Sequence, residues 1–200
     1  MKKMMVLGAL ALAAVTGFAQ ESRQDISVSA TAPISPQVNG NAVQLNQTLT
    51  LGLLVSYRYM LTPRSALEVN YGYAQNSAKF STSFAPDARI HTLQQEFSAA
   101  YVFSLNFRNF NPFVEGGGGT MIFLPLYDAG TNYKDSKTNT RLGGLFGAGL
   151  AYEISPSFDV RAEYRGFVTK APDFSEPGNL FNTNRYTVFS TPSIGVAYHF

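Results

Sequence analysis

The chain contains no cysteine, so disulfides and thiolate chemistry are both closed to it. It is also poor in charge: Asp, Glu, Lys and Arg make up only 14% of its 200 residues, against ~25% in an ordinary soluble domain. Its two histidines, His91 and His199, lie far apart, which excludes a multi-histidine metal site. Beyond Val15 no stretch approaches the ~20 consecutive apolar residues of a spanning helix. What is present excludes disorder, with 45% hydrophobic and 14% aromatic residues. Mean hydropathy is nonetheless −0.04. A chain that is apolar, charge-poor and free of long apolar runs points to alternating strands.

Met1-Lys2-Lys3 followed by the apolar run Met4 to Val15 has the form of a signal peptide, and Gly17-Phe18-Ala19 offers a cleavage site. Residues 1–19 are therefore expected to be removed and residues 20–200 exported. Lys2 and Lys3 account for the whole formal charge of +2, so the exported part is neutral. A basic surface for nucleic acid is excluded.

Period-two alternation recurs eight times. In Phe158-Asp159-Val160-Arg161-Ala162-Glu163-Tyr164-Arg165 one face is apolar and the other carries four successive charges, which a strand allows and a helix would scatter. The segment from Arg185 to Phe200 places Tyr186, Val188, Ile194, Val196, Tyr198 and Phe200 on one face. Similar patterns run through 25–31, 49–59, 67–73, 93–103, 112–124 and 142–153. Short connections at Pro63, 104–111 and Pro156 alternate with long polar ones near 32–46, 77–90, 125–140 and 171–184. An up-and-down barrel gathers the short turns at one end and the long loops at the other, as outer-membrane barrels do.

Many of these segments reach the ~9–11 residues that cross a bilayer at a tilt. Tyr57, Tyr59, Tyr101, Phe103, Tyr152, Phe158, Tyr198 and Phe200 collect at the short-turn ends, as an interfacial girdle requires. With its eight segments and its terminal Tyr198-His199-Phe200, the sequence resembles eight-stranded outer-membrane β-barrels such as the membrane domain of outer-membrane protein A. The resemblance implies an all-β, eight-stranded antiparallel up-and-down transmembrane β-barrel in the cell outer membrane. It implies contact with outer-membrane lipid and lipopolysaccharide. It also makes Ile194, Val196, Tyr198 and Phe200 the signal read by the barrel-assembly machinery. The chain departs from that relative in ending at the barrel, so cell-wall anchoring does not carry over.

With lipid outside, Arg58, Glu68, Glu96, Glu115, Glu153, Asp159, Arg161, Glu163 and Arg165 fall on the inner face as an expected polar network. Eight strands leave an interior just wide enough for side chains to fill, and unpaired charges there would be costly. Glu163 is expected to be locked between arginines. Glu115-Gly116-Gly117-Gly118-Gly119 lacks the Gly-Lys-Ser/Thr of a phosphate loop, so its glycines fit strand curvature better. No motif calls for a cofactor or a metal. His91 has no adjacent Ser/Asp or Ser/Glu motif, which favours a bystander over the centre of a lipid A-modifying enzyme. A low-conductance channel is the other alternative. Aromatics in the long loops (Phe84, Tyr127, Tyr133, Phe174 and Phe181) either anchor a surface ligand or pack the loops together. The expected role is non-catalytic: structural, or adhesin-like through the loops.

Overall fold

The computed structural model describes residues 23–82, 87–132, 135–174 and 182–200. The signal-peptide segment 1–19 and the loop aromatics Phe84, Tyr133 and Phe181 lie outside the described residues. The described residues form ten strands: β1 (Gln24–Thr31), β2 (Val38–Gly40), β3 (Val43–Gln47), β4 (Gly52–Thr62), β5 (Ser65–Thr82), β6 (Ala88–Ser104), β7 (Phe110–Leu126), β8 (Asn139–Ser155), β9 (Phe158–Lys170) and β10 (Tyr186–His199). All pairings are antiparallel. β4 pairs with β1, β1 with β10, and the ladder continues through β9, β8, β7 and β6 back to β5, closing a ring of eight. Closure removes the open edges that an exported sheet would otherwise expose. β2 and β3 form a hairpin outside the ring, laid against the far end of β5 through Gln47↔Ala78 to Val43↔Thr82.

Two of the expected long loops are therefore largely strand. The 32–46 connection holds the β2–β3 hairpin, and within 77–90 the β5–β6 ladder continues to Phe80↔Ala88. The reason is a change of solvent along the same strands. Near the short turns, β5 directs Leu67, Val69, Tyr71 and Tyr73 outward and Glu68 and Asn70 inward. Further along, Gln75 and Lys79 face outward while Ala74, Ala78 and Phe80 are buried inside. The period holds but its polarity inverts, because the outer face has left lipid for water. Strands of 17 and 18 residues exceed what a membrane crossing needs, so the surplus stands above the bilayer.

Glycines on β7 allow close approach. A Cβ at Gly117 or Gly119 would run into the β6 backbone at Ala99–Ala100 or Phe97–Ser98. On the outer face, Ala162 lies midway along the β9 belt, between exposed Phe158 on one side and Tyr164 and Val168 on the other. Ala162→Arg should destabilise the folded barrel by roughly 2–4 kcal/mol, measured by reversible unfolding in lipid vesicles. A loss below ~0.5 kcal/mol, the size of an ordinary surface change, would mean that this face meets water.

Candidate functional site: a layered lumen and a loop rim

The inner face is built in layers. Nearest the short turns, Ala66, Val102 and Phe113 form a small apolar floor. Above it lies the charged layer. The Arg58 guanidinium donates to Glu68 (Nε to Oε2, 2.7 Å) and lies over the Phe113 ring at 4.8 Å. Arg161 donates to Asp25 Oδ1 at 3.2 Å and stands 3.9 Å from Glu68. Arg165 donates to Glu96 at 2.8 Å and to Ser98 at 3.2 Å. Its Nε also stands 3.1 Å from Glu163 and 3.2 Å from Glu115. The three arginines are 2–3% exposed.

Seven of the nine residues expected in the lumen thus meet in two clusters: Arg58, Glu68 and Arg161 in one, and Glu96, Glu115, Glu163 and Arg165 in the other. Asp159 stands apart at the short-turn end, where it meets His199 at 2.9 Å. Glu153 lies at that end too, half-exposed, beside a register shift between β8 and β9. The expectation that Glu163 sits between arginines is corrected: Arg165 is its ion-pair partner, and it shares that arginine with Glu96 and Glu115. Asp25, fully buried, was missed by the sequence reading. Its signal was available, since it opens β1 in phase with Ser27, Ser29 and Thr31 on the buried face. Asn70 and Ser98 follow the same parity.

A third layer closes the loop end. Phe80, Ile90, Met121, Phe123, Phe167 and Phe189 point inward, and Phe174 descends onto them from the β9–β10 connection. Phe174 is fully buried, edge-on to Phe80 at 5.9 Å and to Phe123 at 6.5 Å. This loop aromatic packs, whereas Tyr127 is exposed and its hydroxyl donates to the Ser136 carbonyl at 2.5 Å. No sequence motif marked this layer: Phe80, Ile90 and Phe174 fell in segments read as loop, while Met121, Phe123 and Phe189 lay within segments read as strand.

On the outer rim, His91 Nδ1 and Asp128 Oδ2 lie 2.6 Å apart. The His91 amide donates to Thr131 Oγ1 at 2.9 Å, and Asn132 exchanges hydrogen bonds with Arg89. Together these clasp the 128–132 turn onto β6. The hydrogen bond from His91 holds the Asp128 carboxyl below its ordinary value. A depressed folded-state pKa contributes stability above the unfolded value, which is lost as pH falls through the folded one. Amide-exchange protection at Thr131 and Asn132 should therefore survive below the ordinary Asp range near ~4. In His91→Ala the loss should move up into that range; an unchanged profile would separate the clasp from the pair. Among the described residues no group of three or more His, Asp or Glu is placed to hold a metal ion.

A closed, lipid-belted ring of eight strands with short turns at one end and a loop rim at the other is an integral outer-membrane β-barrel. The chain matches the outer membrane protein beta-barrel domain family over residues 5–200 and belongs to that family. It is a protein of the cell outer membrane. Solved structures share the fold at low identity. Neisserial surface protein A is 15% identical with a TM-score of 0.60, over 90% of this chain and 98% of that one. OprG from Pseudomonas aeruginosa is 13% identical with a TM-score of 0.62, over 90% and 97%. Ail, the attachment invasion locus protein of Yersinia pestis, solved with the heparin analogue sucrose octasulfate, is 19% identical with a TM-score of 0.53, over 90% and 100%. No curated protein sequence matches the chain.

Proposed function

We propose that this protein is a non-catalytic, non-conducting membrane scaffold that presents its loop rim to ligands at the cell surface. The observation that carries this reading is the layered lumen. An ionic network and an aromatic layer fill the interior in series, which leaves the rim as the part of the molecule open to the cell exterior. That rim carries exposed Tyr127 and Tyr186, the latter with Lys170 Nζ 5.9 Å from its ring centroid. Exposed aromatics beside cations are favoured anchors in recognition. The similarity of fold to Ail, whose name describes attachment and invasion, agrees with a surface role.

The test is adhesion. Cells displaying the protein should bind matrix- or host-cell-coated surfaces more than cells without it. Tyr127→Ser with Tyr186→Ser should reduce that binding while leaving the heat-modifiable gel migration of the folded barrel intact. Equal adhesion with and without the protein would overturn the reading. An acyl pattern of lipid A that changes with the protein and reverts in His91→Ala would move the function to the His91–Asp128 pair.

A further inference from the structure

The short-turn end differs from the loop rim in the sign of its charge. Among the described residues the exposed charged side chains there are Arg23 just before β1, Arg64 in the β4–β5 turn and Arg108 in the β6–β7 turn. Among the described residues no exposed Asp or Glu side chain accompanies them. Glu153 is half-exposed on the inner face, and Asp25 and Asp159 are buried inside. Among the described residues no carboxylate pairs with any of the three guanidinium groups. The loop rim is mixed, with Asp87 and Asp128 beside Lys79 and Arg89.

The three arginines are also brought together. The Arg23 carbonyl accepts from the Met60 amide (2.8 Å) near the end of β4, and the Arg64 carbonyl accepts from the Ser104 amide (2.8 Å) at the end of β6. Asn106 ties the β6–β7 turn to Pro63 at 2.9 Å. Exposed apolar side chains lie among them: Leu61, Leu105, Phe107 and Phe110, with Phe107 61% exposed. Phe107 and Phe110 close the turn through paired backbone hydrogen bonds, and Arg108 sits at its tip with φ of 50°. That left-handed conformation is unfavourable for a residue with a Cβ. Glycine or asparagine would hold the turn at less cost, yet the tip presents a guanidinium.

From this arrangement we infer that the short-turn rim is a docking surface for anionic phospholipid headgroups of the leaflet it faces. A guanidinium forms paired hydrogen bonds to phosphate oxygens. Phe107, Phe110, Leu61 and Leu105 sit at the boundary of the apolar belt, where a water-borne anion would gain nothing from them and an acyl chain would. Lipid is therefore favoured over a soluble polyanion.

The probe is an equimolar mixture of phosphatidylglycerol and phosphatidylcholine with matched chains, offered to the folded barrel in micelles and read by native mass spectrometry. Attraction of about 1 kcal/mol per basic residue corresponds to about fivefold in preference for each arginine, shrinking as salt is added. The wild type should retain phosphatidylglycerol preferentially. The triple variant Arg23→Gln, Arg64→Gln, Arg108→Gln should bind both lipids alike, and the triple lysine variant should keep most of the preference. Lys79→Gln with Arg89→Gln, on the other rim, should leave it unchanged. All are exposed positions, and heat-modifiable migration verifies folding. The inference falls if the wild type shows no preference, if the glutamine triple keeps it, or if glycerol phosphate without acyl chains competes as strongly as the lipid.

Discussion

Arg165→Met should cost the folded barrel about 3–5 kcal/mol, measured by reversible unfolding in lipid vesicles. The side chain is 2% exposed and is the cation shared by Glu96, Glu115 and Glu163. Methionine fills similar volume but leaves three buried carboxylates around an apolar group, and uncompensated buried charge is the expensive outcome of breaking such a network. Glu163→Gln should cost much less, because Arg165 keeps Glu96 and Glu115 and one of several crowded negative charges is gone. The asymmetry is the sharp part of the expectation. Equal losses in the two variants would mean that the network is a set of independent pairs, and a small loss at Arg165 would mean that water reaches the layer.

Phe174→Ala should cost about 3–5 kcal/mol, the usual range for truncating a buried phenylalanine. The loss should be local. Phe174 is fully buried against Phe80 and Phe123, and its neighbour Asp173 receives Arg141 at 2.7 Å and the Asn139 amide at 2.7 Å. The Phe174 carbonyl also accepts from the Lys137 amide at 2.9 Å, tying the two long connections together. Removing the ring should raise amide exchange and protease sensitivity in these connections before the membrane-spanning ladder is affected. Planar-bilayer recordings should show no large porin-like steps in either protein, since the ionic layer still fills the lumen below. Open-channel currents confined to the variant would show that the aromatic layer alone seals the barrel.

Much of the fold was legible because the bilayer imposes a strict rule on each residue. The four charges from Asp159 to Arg165 could share a face only in a strand, and the alternation of short and long connections then set the topology. The legibility ended where the rule changed. Beyond Tyr73, outward Gln75 and Lys79 are polar and inward Ala74, Ala78 and Phe80 apolar, so the chain from Ser77 on read as a polar loop although the ladder runs on through it. The inner-face residues could be named from parity, but not their partners. That Arg165 serves three carboxylates depends on β6, β7 and β9 facing one another across the lumen. Asp128 could not be foreseen as the partner of His91, because 37 positions and a turn separate them.

The inversion of polarity along β5 and β6 also sets how deep the molecule sits. On β9 the outward apolar positions run from Phe158 to Val168; at ~3.3 Å per residue and a tilt near ~40° they span about 25 Å along the membrane normal. Lys79 and Arg89 stand above the apolar positions of β5 and β6, and Arg64 and Arg108 lie below them. Sliding in either direction would draw cations into hydrocarbon. The barrel is thus matched to one hydrophobic thickness and should concentrate where the bilayer has it, with thicker membranes forced to thin around its circumference.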